Sequence, residues 1–442
     1  MSEKNNIVEP WEAEAYVENL AAFDLEDLGT KTWFEFHKKL ILLNQQSILE
    51  ISTLREESIK EWFISFQRIP ILIYEAIQTA VWKEKVFPLL IELNGEPSNT
   101  FMLYSVFYHE SMAVSLLENV LFHSDSAVTL DDSVFDLVDY AVSNVITLIF
   151  SEAKEAGEQA DDGSSCLGEL LRKKTEMEFD IAMKCISILR YLAEFCEKLP
   201  LGVLSRMLSV HDVPYLLVQL IEKHPWKKTD DKDNPMIYTN GKWQKIRSKD
   251  ENKLCKAEGQ VWIGIRELLL NPTSGAYYEM TEFRISQLMK LQKYLQEHVL
   301  DQIAPLIELR RWLSHLTISR PTASAKSNLI VEVIPKIRTS ILEKYRKKWK
   351  KLAKHQSKCL YTKNTDEIIN LAKVLSGAYD MDKLEITEDK LCAFCQEDAS
   401  KRCSKCKGVW YCGRECQVKD WTNHKAVCSK IIESKEAFGI QD

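Results

Sequence analysis

The sequence predicts a mainly α-helical protein in which a large helical domain precedes a small cysteine-rich module near the C-terminus. Three observations support this prediction. Apolar residues recur at helical spacing from about residue 12 to residue 315, and alternating Val/Ile-rich runs typical of strands are scarce. Seven of the twelve cysteines lie between Cys392 and Cys428. A chain of 442 residues has room for two or three domains, so both parts can fold in one molecule.

The composition is that of an ordinary globular protein, with 45% hydrophobic and 28% charged residues. The formal net charge of -7 argues against a dedicated nucleic-acid binder, which would carry a basic excess. No uninterrupted apolar run approaches the ~18 residues that suggest a membrane span. The N-terminus, MSEKNNIVEP, is acidic and polar and differs from a secretory signal. We therefore expect an intracellular protein with no nucleic-acid partner and no membrane span.

Several predicted helices begin at a proline that is followed by aliphatic residues: Pro70, Pro88, Pro214 and Pro305. Proline suits the first turn of a helix because its missing N–H would be unpaired there in any case. Leucine-rich helices of this kind occur in armadillo-type arrays, whose helix pairs stack into a solenoid. The recurrences have no steady period of about 40 residues. An armadillo-like array and an irregular solenoid or bundle therefore both remain open.

The predicted domain boundaries follow breaks in the helical pattern. Asn240-Gly241 lies between two short β-prone runs and predicts a small hairpin inserted near 235–247. An acidic stretch with glycine and serine at 153–168 predicts a surface loop. The chain is divided into a helical scaffold, a linker with a basic helix, the cysteine-rich module and a tail, at residues 1–317, 318–390, 391–429 and 430–442.

The basic helix, at 336–354, has two interpretations. Its run YRKKWKKLAKH is of the kind found in nuclear-import signals and nucleic-acid-binding patches. The alternative, which we favour, is a solvated helix face whose apolar residues pack inward. Those residues are Ile337, Ile341, Tyr345, Trp349 and Leu352.

The cysteine-rich module has the spacing C-x2-C-x7-C-x2-C-x5-C-x3-C-x7-H-x3-C. In a reducing compartment, close cysteine pairs favour a metal site over disulfides. A C-x2-C turn brings two thiolates to one ion, and ligands at i and i+4 lie on one face of a helix. Because a tetrahedral zinc ion takes four ligands, eight ligands serve two zinc ions. The candidate ligands are Cys392, Cys395, Cys403, Cys406, Cys412, Cys416, His424 and Cys428.

This spacing, with WYC at 410–412, CQVKDW at 416–421 and NHKAVC at 423–428, resembles the MYND-type zinc finger. The resemblance implies two interleaved sites. Cys392, Cys395, Cys412 and Cys416 would hold one zinc ion, and Cys403, Cys406, His424 and Cys428 the other. With four protein ligands each, neither ion keeps a position for an activated water, so we expect structural rather than catalytic zinc.

The same resemblance implies a binding surface on the module. MYND fingers typically bind short proline-containing peptides of partner proteins in a shallow groove. The resemblance places Gln417 and Trp421 in that groove. The alternatives are packing against the metal core for Trp421 and a capping or solvent-facing role for Gln417.

A wider resemblance extends beyond the finger, from about residue 80 to residue 428. The strings VWKEKVFPLLIEL, LSRMLSVHDVPYLLVQLIEKHPW and GQVWIGIRELLLNP are similar to a family of MYND-finger factors for assembling axonemal dynein arms. The resemblance implies a non-enzymatic adaptor of the chaperone relay that serves motile cilia. It implies a leucine-rich-repeat assembly factor, chaperones and dynein chains as partners. The implied location is the cytoplasm, including the region of the centrosome or ciliary base.

Two other function classes compete with this adaptor. MYND fingers also occur in lysine methyltransferases, where the finger is inserted in the catalytic domain beside an NHSC-like motif. The sequence has no such motif, so we predict no enzyme and no catalytic residues. A nuclear co-repressor, or another MYND scaffold that recruits proline-containing motifs, is the alternative, and the basic run is its local support.

Overall fold

The structure is a computed structural model that describes residues 6–150, 165–230, 233–247, 250–318, 333–362, 364–376, 392–395, 397, 399–406 and 409–437. Most of the predicted loop at 153–168, residues 319–332 and 377–390 of the predicted linker segment, and the last five residues of the tail lie outside these ranges. Within them the chain is mainly helical and has a few short strands, which confirms the predicted fold class.

The described helices are α1 (Pro10–Glu18), α2 (Lys31–Ser52), α3 (Ser58–Ser65), α4 (Ile69–Lys85), α5 (Phe87–Asn94), α6 (Phe101–Val120), α7 (Ser124–Val128), α8 (Ser133–Phe150), α9 (Cys166–Glu194), α10 (Leu201–Ser205), α11 (Val213–Lys223), α12 (Lys256–Leu270), α13 (Glu282–Met289), α14 (Glu297–Gln302), α15 (Leu306–Ile318), α16 (Ile337–Tyr345), α17 (Trp349–Leu360), α18 (Thr365–Ser376) and α19 (Arg414–Ala437). The described strands are β1 (Lys227–Thr229), β2 (Pro235–Thr239), β3 (Lys242–Lys245), β4 (Lys401–Arg402) and β5 (Trp410–Tyr411). Short 3-10 turns occupy Leu25–Asp27, Ser274–Ala276 and Lys290–Lys293, and a π-helical turn occupies Arg206–Val210.

The chain divides into two compact units. The larger comprises residues 1–228, 238–242 and 253–381, and the smaller comprises 229–237, 243–252 and 382–442. In the larger unit α6 packs against α2, α4 and α9, and α9 also packs against α8 and α12. Helix α6 is buried on nearly its whole circumference, which is expected for the central helix of a core.

Proline opens helices as the sequence predicts. Helices α4, α5 and α11 carry Pro70, Pro88 and Pro214 in their first turns, and Pro305 directly precedes α15. At α11 the carboxylate of Asp212 adds a cap by accepting a hydrogen bond from the Tyr215 backbone N–H at 3.3 Å. Local sequence thus sets where these helices begin.

Helix α8 is long and apolar enough to cross a membrane by length and composition alone. It is the one described helix of that kind, although the bent pair Leu201–Val210 and Val213–Lys223 would pass the same test as one span. Asp136 and Asp139 interrupt the apolar residues of α8, so its sequence contains no long uninterrupted apolar run. In the structure 56% of α8 is buried inside the protein, and it packs against α9 and α11, as a core helix does.

A three-stranded sheet in the order β1-β2-β3 contains the hairpin at Asn240-Gly241. Asn240 and Gly241 both have positive φ, 52° and 75°, as the two central residues of a type I′ turn require. Strand β1 was not predicted, because Lys227–Thr229 is three residues long and polar.

The predicted basic helix is two helices, α16 and α17, separated by a turn at 346–348. Ile341, Tyr345 and Leu352 are buried as expected, whereas Ile337 and Trp349 are half-buried. Helix α16 packs against α4 and α8, α17 against α5, and α18 against α2. The described part of 318–390 therefore belongs to the helical scaffold. The sequence-based division separated it because its exposed faces are so strongly charged.

Candidate metal centre

The finger is built from two cysteine turns, a strand pair and a helix. Strands β4 and β5 pair antiparallel, with Lys401 opposite Tyr411 and Arg402 opposite Trp410. The Cys403 N–H donates to the Val409 carbonyl at 2.8 Å, and the Ala393 N–H donates to the Trp410 carbonyl at 2.9 Å. These bonds hold both C-x2-C turns beside β5. Helix α19 continues to Ala437, past the predicted start of the tail.

The first cluster joins the first and third cysteine pairs: Cys392, Cys395, Cys412 and Cys416. Their four sulfur atoms all lie within 4.8 Å of one another. The Cys395 and Cys412 sulfurs are 3.5 Å apart, and the Cys412 and Cys416 sulfurs are 3.3 Å apart. Cys412 follows β5 directly, and Cys416 lies in the first helical turn of α19. The strand and the helix therefore place both thiols beside the first C-x2-C turn, which holds Cys392 and Cys395.

The second cluster joins Cys403, Cys406, His424 and Cys428, whose ligand atoms also lie within 4.8 Å of one another. The Cys403 and Cys428 sulfurs are 4.0 Å apart, and the Cys406 sulfur is 3.5 Å from His424 Nε2. All four residues are buried. His424 and Cys428 are one turn apart on α19, so they face the second cysteine turn together.

These distances fit zinc. In a tetrahedron with Zn–S bonds of about 2.3 Å, neighbouring sulfurs are about 3.8 Å apart. The observed sulfur–sulfur separations of 3.3, 3.5 and 4.0 Å bracket that value. All seven cysteines are free of disulfides, and sets of four thiolates or of three thiolates and an imidazole are typical of structural zinc. The finger therefore contains two clusters that could each bind a zinc ion. They are the two sets of residues that the MYND resemblance implies.

The charges of the thiols also fit a cation. Burial would raise the pKa of Cys392, but backbone N–H groups of Cys395 and Cys412 outweigh it and lower the pKa to about 6. Burial would likewise raise the pKa of Cys403. The Cys406 N–H and the His424 ring outweigh burial and lower that pKa to about 6. Cys416, beside the Cys412 thiol, has its pKa raised to about 12. In each cluster one thiol thus ionises readily, and its negative charge disfavours ionisation of the neighbouring thiol. A bound dication would remove this repulsion between thiolates.

The second cluster is supported by a shell of aromatic and acidic groups. The Tyr411 hydroxyl donates to Asp420 Oδ2 at 2.7 Å, which ties β5 to α19. The Tyr411 and Trp421 rings each lie 6.0 Å from the His424 ring. Contacts of this kind fix the orientation of a ligand, and four protein ligands leave no open coordination position. A zinc ion bound at each cluster would therefore have a structural role.

The predicted groove residues lie on α19. Gln417 and Trp421 are both half-buried and one turn apart, so they share a face. Trp421 also packs edge-on against His424, which agrees with the packing alternative, and its place in a groove stays a prediction. Two further apolar side chains were not predicted: Phe394 is 46% and Val418 is 65% exposed. Phe394 lies between Cys392 and Cys395, two ligands of one cysteine turn, and that position is the signal that would have marked it.

A cavity of about 780 Å³ in the larger unit is a second candidate site. It lies among α4, α8, α9 and residues 334–339. At its base Lys83 Nζ lies 2.7 Å from Glu110 and 3.1 Å from Glu178. The Tyr140 hydroxyl donates to Glu110 at 2.7 Å. These charged groups compensate one another, so the cavity chemistry points to no particular ligand.

Comparison with known proteins identifies the finger. The family model described as the MYND finger matches residues 392–428. Tudor domain-containing protein 1 of Danio rerio is 42% identical over 43 residues, 10% of this chain and 4% of that protein. An N-lysine methyltransferase of Rattus norvegicus is 39% identical over 41 residues, 9% of this chain and 10% of that protein. These two likenesses are too short to include more than about one finger.

A third relative matches along nearly the whole chain. The zinc finger MYND domain-containing protein 10 homolog of Drosophila melanogaster is 37% identical over 452 residues, covering 96% of this chain and 99% of that protein. No solved structure matches the chain. The likeness thus includes the helical scaffold as well as the finger, and the chain belongs to the family of zinc finger MYND domain-containing protein 10.

Proposed function

We propose that this protein is a non-enzymatic adaptor for the cytoplasmic preassembly of the axonemal dynein arms that motile cilia need. The observation that carries the proposal is the 37% identity to a family member over 96% of the chain. The sequence resemblance associates that family with dynein-arm assembly. The closed coordination of both metal clusters supports a docking role for the finger, because such sites stabilise a fold and perform no chemistry.

The docking face of the finger comprises Gln417, Val418 and Trp421 on α19, with Phe394 as a further apolar contact. Extended proline-containing peptides bind surfaces lined by aromatic side chains, because their fixed conformation loses little entropy on binding. A half-buried Trp421 held against His424 offers such a surface. We infer that zinc orders α19 against both cysteine turns and so keeps this face in place.

The partners follow from the family resemblance. A leucine-rich-repeat dynein assembly factor is the partner that we assign to the finger, and chaperones and dynein chains are the co-factors and clients of the same adaptor. The place of action is the cytoplasm, including the region of the centrosome or ciliary base.

A pull-down from ciliated cells tests the docking role. Intact protein is compared with Trp421→Ala, Cys412→Ala and a control, Trp11→Ala, which alters a tryptophan that is 71% exposed on α1. We expect Trp421→Ala to keep its zinc and lose the assembly factor, and Cys412→Ala to lose both. Trp11→Ala should keep both. Equal recovery of the factor by all four proteins would contradict a docking role for the finger.

The assembly role itself is tested in cells with motile cilia from which the protein has been removed. We expect axonemes of normal microtubule structure that lack dynein arms, with dynein heavy chains retained or degraded in the cytoplasm. Electron microscopy of axonemal cross-sections provides the measurement. Complete dynein arms in these cells would contradict the proposal.

A nuclear MYND co-repressor is the second candidate, because the basic residues 346–358 are exposed on α17 and on the turn before it. Fluorescence imaging of the full chain separates the two. A cytoplasmic signal supports the assembly adaptor, and an exclusively nuclear signal supports the co-repressor.

A further inference from the structure

We propose that the exposed basic face formed by α17 and the turn before it binds a short acidic segment of a partner protein. The basic face is defined as Arg346, Lys347, Lys348, Lys350, Lys351, Lys354 and Lys358. It lies in the helical scaffold, and its role is separate from the docking role proposed for the finger.

The seven cations are exposed and lack an acidic partner in the part of the chain that the structure describes. All seven side chains are exposed to solvent, and within the described ranges none of them forms an ion pair. The preceding helix differs, because Arg338 pairs with Glu84 at 2.5 Å and Lys344 pairs with Asp24. Among the described residues, basic side chains of α16 therefore form ion pairs, whereas the basic side chains of α17 do not.

The basic face is held in a fixed orientation. On the opposite side of α17, Leu352, Ala353 and Leu360 are buried. The Gln356 amide donates to the Leu25 carbonyl at 2.6 Å and accepts from Trp82 Nε1 at 2.8 Å. These contacts fix the rotation of α17 about its axis, so its lysines stay on the exposed side. A fixed array of cations loses less entropy on binding than a flexible tail would.

The face also concentrates like charges. Residues 344–365 contain no Asp or Glu. The pairs Lys350 and Lys354, and Lys354 and Lys358, are four residues apart on α17, where equal charges destabilise a helix. An anionic ligand would remove this repulsion as it binds, and that relief adds to the direct attraction.

The size and surroundings of the face favour a short acidic peptide. Helix α17 has 12 residues and is therefore about 18 Å long, which five or six extended residues would cover. When the seven positive charges are subtracted from the total of -7, the rest of the chain has a net charge of -14. A long nucleic acid would meet that acidic remainder, whereas a short segment would not. The apolar side of α17 faces the protein core, so it is not available for insertion into a lipid surface.

Fluorescence anisotropy with a labelled octaglutamate peptide tests the proposal on the full-length, zinc-loaded chain. The test variant is Lys347→Gln/Lys351→Gln/Lys354→Gln. The matched control is Lys31→Gln/Lys253→Gln/Lys293→Gln, which removes three exposed lysines elsewhere in the helical scaffold. At about 50 mM salt we expect the test variant to bind at least about tenfold more weakly, and the control to bind as the unmodified chain does. Circular dichroism checks that both variants are folded.

Three results would overturn the proposal. The first is equal peptide affinity in the unmodified chain and the test variant, and the second is an equal loss in test variant and control. The third is tighter binding of single-stranded DNA or phosphatidylserine vesicles than of the peptide by the unmodified chain, together with loss of that tighter binding in the test variant. Trp421→Ala should leave peptide binding unchanged, so a failure of the finger's docking role is distinguished from a failure of this proposal.

Discussion

At the residue scale, His37 and His109 form a buried chain with Glu75. The two Nδ1 atoms are 3.0 Å apart, and His109 Nε2 lies 3.1 Å from Glu75 Oε2. The Trp33 ring stacks on the His37 ring at 5.2 Å. Burial, and the neighbouring His109, lower the pKa of His37 well below its ordinary value. His37 is therefore neutral in the folded protein and takes up a proton far more readily once the protein unfolds.

This predicts that the helical scaffold loses stability as pH falls below about 6.5, the ordinary pKa of histidine. Between that value and the lower folded pKa, the unfolded state binds the proton and the folded state does not, so stability decreases as pH decreases. The contribution reaches about 1.4 kcal/mol per pH unit. Urea unfolding at pH 7.5 and 5.5 measures it. His37→Phe should have a smaller pH dependence than the unmodified chain, and an unchanged pH dependence would contradict the argument.

Single residues also show what sequence reasoning can and cannot find at the candidate site. The eight proposed ligands are evident because their spacing follows from the geometry of turns and helices. The division of ligands between two ions came from family resemblance, since spacing alone permits other groupings. The exposed Phe394 and Val418 went unpredicted, because apolar side chains in a sequence are ordinarily assigned to a core.

At the scale of elements, the sequence predicted the turns and helix starts that are determined by the residues at those positions. The Asn240-Gly241 turn and the prolines that open α4, α5 and α11 are examples. The break between α16 and α17 contains neither Gly nor Pro and has no such signal. Instead, tertiary contacts fix it: Tyr345 hydrogen-bonds Asp24 on one side of the break, and Gln356 bonds Leu25 on the other.

Gln356 is therefore predicted to anchor α17. Gln356→Leu removes both hydrogen bonds and leaves the buried Trp82 Nε1 and the Leu25 carbonyl without their partner. We expect a loss of roughly 1–3 kcal/mol per unsatisfied group in the free energy of unfolding. Urea denaturation followed by circular dichroism measures the loss. Gln292→Leu, at an exposed position, is the matched control and should change stability little. Similar stability in the two variants would contradict the anchoring role.

At the scale of the whole molecule, the helical scaffold and the finger differ in what stabilises them. The scaffold has a large apolar core around α6 and α9. The buried core of the finger is small and consists largely of its ligands: Cys392, Ala399, Cys403, Cys406, Tyr411 and Cys428. A module of this size depends on metal for its folding energy. The cysteine content of the sequence predicts the same difference.

Removal of zinc should therefore unfold the finger and leave the scaffold folded. After chelation, hydrogen exchange should become fast in residues 392–428 and remain slow in α6. Mass spectrometry of peptic fragments measures both regions in one sample. Re-addition of zinc, as the control, should restore protection in the finger. Slow exchange in the finger of the metal-free chain would show that zinc is not needed for its fold.

The central claim is that eight protein ligands enclose two structural zinc ions. Zinc K-edge X-ray absorption of the purified full-length chain, with its zinc content, tests that claim most directly. One site of four cysteines and one site of three cysteines and a histidine predict two zinc ions per chain. They also predict an average shell of about 3.5 sulfurs near 2.3 Å and about 0.5 nitrogen near 2.0 Å, with no oxygen. A single zinc ion per chain, or a shell that includes water oxygen, would contradict the account.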